Sequence, residues 1–220
     1  MRVAVRRGAI GRVLWWAQGA LLACGILLLG YCGFAVADAW VFQRRESTDL
    51  DRLQQAQSAA SESRPEAPLS TTAKRSAAPV LDGLIGRLEI PRLLLSAIVC
   101  EGTGSTTLRR AVGHIPGTAL PGQPGNVALA GHRDTFFRAL RDLRLKDEIQ
   151  ISTPKGNFKY EVESLMVVEP ENVGVLAPSA ENVLTLVTCY PFSYIGSAPK
   201  RFIARARQVS PRVAPPSNME

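Results

Sequence analysis

The stretch TLVTCYPFSYIGSAPKRFIARA, Thr185–Ala206, sets two short apolar runs on either side of a loop rich in Gly, Pro and Ser. Val183–Thr188 and Phe202–Arg207 have the length and the turn-forming borders of strands, and the first is rich in β-branched residues. Tyr190-Pro191 takes the chain out of the first run just after Cys189, because proline cannot donate to a strand ladder. The loop then returns to Arg201, twelve residues on. Working outward, Leu84–Ile90, Leu93–Val99, Asn126–Ala130, Glu148–Ser152 and Phe158–Val168 read the same way, and helical periodicity is confined to Ser105–Ala111 and Thr135–Leu143. Seven or eight strands in residues 81–209, without long helices between them, predict a mainly β domain closed or nearly closed into an antiparallel-rich barrel. Ile115–Gly125 and Glu169–Ala180 are its long loops, where binding surfaces concentrate. No internal repeat is present.

The chain has 220 residues, room for one ordinary domain plus appendages, and its formal net charge is +7. Residues 1–12 carry +4 of that excess, 38–80 and the 210–220 tail balance, and 81–209 carry +3. A folded part so mildly basic argues against nucleic acid as a partner. Two His and four Cys are too few for a His-rich metal centre or a disulfide scaffold.

Val13–Ala37 contains no charged residue in 25 positions. As a helix it is about 37 Å long, enough to cross a hydrocarbon layer of about 30 Å. Trp15, Trp16, Tyr31 and Trp40 fall near its ends, where amphipathic rings favour the interface. Arg2, Arg6, Arg7 and Arg12 precede it, whereas acids are mixed with the bases that follow. The positive-inside bias therefore predicts a single-pass membrane anchor over 13–37, with the basic 1–12 arm cytoplasmic and the rest extracytoplasmic. A cleaved signal peptide would have a shorter apolar core. The run Leu21-Leu22-Ala23-Cys24 loosely resembles a lipoprotein cleavage box, but apolar sequence continues well beyond it. Residues 38–80 read as a flexible linker, with a possible short helix over 47–60.

Cys24 and Cys32 lie within the span, which leaves Cys100 and Cys189 for the exported domain. The two can form a disulfide, or one can remain free for reaction. Cys189 is presented where a strand exits, whereas Cys100 has the setting of an ordinary strand-end residue, and an isolated Cys is most often a small buried apolar side chain. A Cys nucleophile needs a basic partner to form thiolate. His114 and His132 are the candidates, and His132 is favoured because it also ends an apolar run, Asn126–Ala130. Arg201 opens the last strand, where a guanidinium can serve an oxyanion; the ordinary alternative is a solvated surface arginine. Glu169, Glu171 and Glu181 are scattered acids of the kind usually just solvated, so no metal and no cofactor is expected.

Taken together, Thr185–Ala206, GHIPGTALPGQPGN (Gly113–Asn126) and AGHRDTFFRAL (Ala130–Leu140) closely resemble the sortases, and among them the class D group. The resemblance covers residues 81–209. It implies a closed eight-stranded barrel behind one transmembrane helix, a cysteine transpeptidase, and a triad falling on His132, Cys189 and Arg201. It further implies an LPxTG-like sorting signal cut after its Thr. Cys189 would attack, His132 would protonate the departing amine, Arg201 would position the signal and stabilise the oxyanion, and Thr188 would line the groove. The implied partners are secreted proteins bearing the signal and an amine acceptor, typically a peptidoglycan precursor. An inactive barrel that only holds extended peptides, and a cysteine peptidase that hydrolyses its thioester, are the competing readings.

Overall fold

The computed structural model describes residues 7–62, 83–194 and 196–210. It divides into two units, one ending at Val41 and the other beginning at Phe42.

Helix α1, Arg7–Glu62, runs through both. Its first part holds one stretch long and apolar enough to cross a membrane. Trp15, Trp16, Leu21 and Leu29 there are exposed. The expected flexible linker begins differently: the helix continues to Glu62 rather than restarting near Ser47. No Gly or Pro stands between Phe34 and Pro65 to interrupt it. The remainder of that linker, 63–82, lies outside the described residues, as do residues 1–6 and the 211–220 part of the tail.

In the second unit, the latter part of α1 packs on the barrel. Leu50 is fully buried, and Phe42 joins a small apolar cluster of Ile98, Cys100 and Ala111. Gln43 accepts the Ile98 N–H at 2.8 Å and donates its own Nε2 to Arg110 O at 2.6 Å. Arg87 pairs with Asp51 at 3.0 Å and donates to Ser47 O at 3.1 Å. A segment read as a flexible linker is therefore fastened to the barrel at these points.

The eight strands are β1 Leu84–Ile90, β2 Leu95–Glu101, β3 Val112–His114, β4 Asn126–Ala130, β5 Glu148–Thr153, β6 Gly156–Val168, β7 Val183–Tyr190 and β8 Lys200–Ser210. They close in the order β1-β2-β3-β4-β7-β8-β6-β5. Six pairings are antiparallel and two, β2 with β3 and β4 with β7, are parallel. The helical expectations reduce to a short helix α2, Ser105–Arg110, and a single 3-10 turn, Arg138–Asp142. Alternation sends Phe158, Tyr160 and Val162 of β6 inward, where they meet Leu88, Leu129 and Leu186 in one continuous core.

Strand β2 begins two residues later than its apolar pattern suggests. Pro91–Leu93 form a 3-10 turn and Leu94 takes a left-handed backbone with φ 50°, which resets the strand start to Leu95. Arg92 in that turn binds the Asp147 carboxylate and donates to Asp142 O at 2.6 Å, fastening the turn to the segment that leads into β5. The hydrogen-bonded Arg92 guanidinium holds the Asp147 carboxyl below the usual carboxylate range, and the Arg144 N–H adds to this. A depressed native value means that this stabilisation is full above the unfolded value, about 3.9, and is lost as the pH falls through the native one. Asp147→Asn should lower the Tm at pH 7 by roughly 2–6 °C and flatten the drop in Tm below about pH 4, as scanning calorimetry would record. Parallel acid profiles in the two proteins would disprove the linkage.

Candidate active site

The strand register decides what lies beside Cys189. In β7, Val183–Leu186 are buried and Cys189 is half-buried where the strand meets the barrel rim. Strand β8 runs back antiparallel with Arg201 directly opposite Cys189. Side chains of an opposed antiparallel pair emerge on the same face, their Cβ atoms about 5 Å apart. On the other side of β7 lies β4 in parallel register, Ala130 against Val187. The pairing extends one residue past the strand: Gly131 N–H donates to Val187 O at 3.2 Å, and Thr188 Oγ1 donates to Gly131 O at 2.7 Å. His132, two residues beyond Ala130, thus comes level with Cys189, two residues beyond Val187.

Gly131 is required where it stands, since a Cβ there would lie 2.7 Å from the buried Phe137 ring. Phe137 N–H in turn donates to His132 O at 3.1 Å, folding the chain after His132 back onto the core and leaving the imidazole exposed. Arg201 is half-buried, and its Nη1 donates to Ala198 O at 3.2 Å and Lys200 O at 3.0 Å, the carbonyls just before it. The structure therefore gathers His132, Cys189 and Arg201 on three adjacent strand ends at one rim. In this pose the guanidinium turns toward its own loop. Thr188, expected to line a groove, is buried, and its hydroxyl is committed to Gly131.

The other histidine and the other exported thiol have different surroundings. His114 is buried, with Nδ1 2.9 Å from Glu101 Oε2 and Nε2 3.0 Å from both Thr118 Oγ1 and Ala119 O. Both ring nitrogens are committed. All four cysteines are free, so Cys100 and Cys189 are not linked. Burial, reinforced by the nearby Glu46 charge, pushes the Cys100 thiol up to about 11, so it stays protonated at neutral pH. Among the described residues no cluster of His, Cys, Asp or Glu has the arrangement of a metal site.

Two residues that the sequence reading gave no role hold the long loops in place, Asn126 at the start of β4 and Arg133 beside the rim. Asn126 Nδ2 donates to Val175 O and Ala177 O at 3.1 Å each, and its Oδ1 accepts Thr185 Oγ1 at 2.7 Å. It thereby pins the β6–β7 loop to β4. A polar residue opening an otherwise apolar strand is the signal that points to it, since a buried amide must be paired. Arg133 does the corresponding work on the β7–β8 loop, and nothing in its spacing distinguishes it.

Residues 88–209 match the family described as Sortase domain. The chain belongs to the sortase family. It is 32% identical over 193 residues to Sortase D of Bacillus subtilis (strain 168), spanning 86% of this chain and 96% of that protein. The structure of a Clostridium perfringens Sortase D5 transpeptidase superposes with TM-score 0.53 at 32% identity, covering 58% of this chain and 79% of that one. Sortase C-1 of Actinomyces oris superposes with TM-score 0.56 at 26% identity, covering 74% and 98%. Sortases are cysteine transpeptidases that act on proteins bearing a sorting signal and on amine acceptors. In this sortase of the class D kind, the family match spans every strand of the barrel from Leu88 onward, so the rim described above lies wholly within it.

Proposed function

We propose that this sortase cleaves an LPxTG-like sorting signal after its Thr and transfers the acyl chain to an amine, attaching proteins to the cell envelope. The observation that carries the reading is the Cys189–Arg201 cross-strand pair with His132 at the adjoining strand exit. Cys189 Sγ attacks the Thr carbonyl, and the developing oxyanion is met by the Arg201 guanidinium, which turns from its loop carbonyls toward the substrate. His132 gives a proton to the departing glycine amine, leaving a thioester. An incoming amine, typically on a peptidoglycan precursor, loses its proton to His132 and displaces the thiolate. Thr188 forms the floor beneath the signal's groove and keeps Gly131, and so the His132 exit, against β7. The apolar segment of α1 serves as a single-pass anchor with the N-terminus cytoplasmic and the barrel extracytoplasmic, supported by the four arginines that precede the span.

The test is a peptide-library cleavage assay with mass detection, run with and without an amine acceptor. LPxTG-like peptides should be cut after Thr, with turnover raised by the amine and a ligated product formed. Turnover indifferent to amine would identify a hydrolytic peptidase. Binding without turnover would identify an inactive peptide-holding barrel.

A further inference from the structure

Arg133 stands immediately after His132, yet its side chain is only 7% exposed. Its guanidinium reaches across to the chain that joins Cys189 to Arg201. Nη1 donates to Pro191 O at 2.9 Å, and Nη2 donates to Tyr194 O at 2.7 Å and to Gly196 O at 3.0 Å. The Tyr194 ring lies 5.9 Å from the guanidinium carbon, within cation–π range. Asp134, 3.5 Å from Nε, is 72% exposed, so the buried charge is met chiefly by the three carbonyl dipoles. Three acceptors spread along one loop demand a rigid planar fork, which an ammonium does not supply.

We infer that Arg133 is a positioning residue: it holds the β7–β8 loop against the His132 turn and so keeps Cys189 and Arg201 in reach of the imidazole. The catalytic half of this inference rests on the reading given under Proposed function. Arg201 depends on the loop as well, since its guanidinium leans on Ala198 O within that loop, besides Lys200 O at the start of β8. Loss of the Arg133 fork removes a donor from three carbonyls at once, leaving Pro191 O only the long 3.4 Å bond from Tyr194 N–H, while the strands that carry the core keep their ladders. A displacement of about 1 Å at reacting groups is enough to cost on the order of 100-fold in rate.

Full-length Arg133→Lys and Arg133→Met proteins in detergent micelles test this in two ways. Hydrogen exchange should rise about tenfold or more in peptides carrying Phe192 and Tyr194 and stay unchanged in β1 and β5. With an LPxTG peptide and an amine, kcat should fall roughly 10- to 100-fold while KM moves less than about threefold, because orientation in the transition state is lost rather than peptide affinity. Lysine should not rescue either readout. Unchanged exchange in the loop, kcat restored by lysine, or loosening spread evenly over the barrel would each overturn the inference. An unsubstituted chain that turns over no peptide would sink the catalytic reading instead, and the exchange measurement would still decide whether Arg133 clamps the loop.

Discussion

Cys189→Ala should yield neither cleaved nor ligated product from an LPxTG-type peptide and an amine, a loss of roughly 10³-fold or more in turnover. The reason is covalent: without Sγ no thioester forms, and the remaining imidazole and guanidinium have no acyl group to hand on. Peptide binding should persist, because the change removes one half-buried sulfur at the rim and leaves the β7 ladder to β4 and β8 in place. Calorimetric titration alongside mass detection of products checks both halves. The corresponding change at Cys100 should leave turnover intact, since that thiol is buried in a separate cluster with Ile98, Ala111 and Phe42 and stays protonated. Comparable turnover in the Cys189→Ala protein would end the nucleophile assignment.

His132→Ala should lower kcat by about 10²- to 10⁴-fold, the range that a positioned proton donor contributes. The deficit should depend on the leaving group. An amine expelled from a tetrahedral intermediate must be protonated, whereas a thiolate leaves without a proton. Acylation of Cys189 by a peptide thioester should therefore recover most of the loss, and acylation by the amide should not. Because the His132 ring is exposed and no strand hydrogen bond depends on it, the Tm should change little. Equal deficits with both substrates would assign His132 a structural part instead. The neighbouring Gly131 offers no such clean probe, as any side chain there collides with Phe137.

Much of the barrel was legible before any coordinates. The runs Leu84–Ile90 and Asn126–Ala130 coincide with β1 and β4, and the remaining expected strands shift only at their ends. Strand β3 was missed because three residues, Val112–His114, following a helical turn are too short for a period of two to register. Strand-exit positions singled out Cys189, His132 and Arg201 as candidates and the family motifs joined them, and the register of β7 with β8 sets two of them face to face. The placement of Gln43 between Ile98 and Arg110 was invisible, since its partners are more than fifty residues away. So was the contrast between the histidines: each follows a Gly at or just past a strand end, and burial beside Glu101 and Thr118 is what separates His114 from His132.

Strand positions and the apolar anchor segment are properties of local pattern, because alternation, proline punctuation and an uncharged run act over a few neighbouring residues. Which strands lie side by side is another matter. Any ladder accepts any extended chain, so nothing local announces that β4 pairs in parallel with β7 and carries His132 to the rim beside Cys189. The role of Arg133 belongs to the same category, for a guanidinium meets three loop carbonyls only after the barrel has closed and brought Pro191, Tyr194 and Gly196 within its reach.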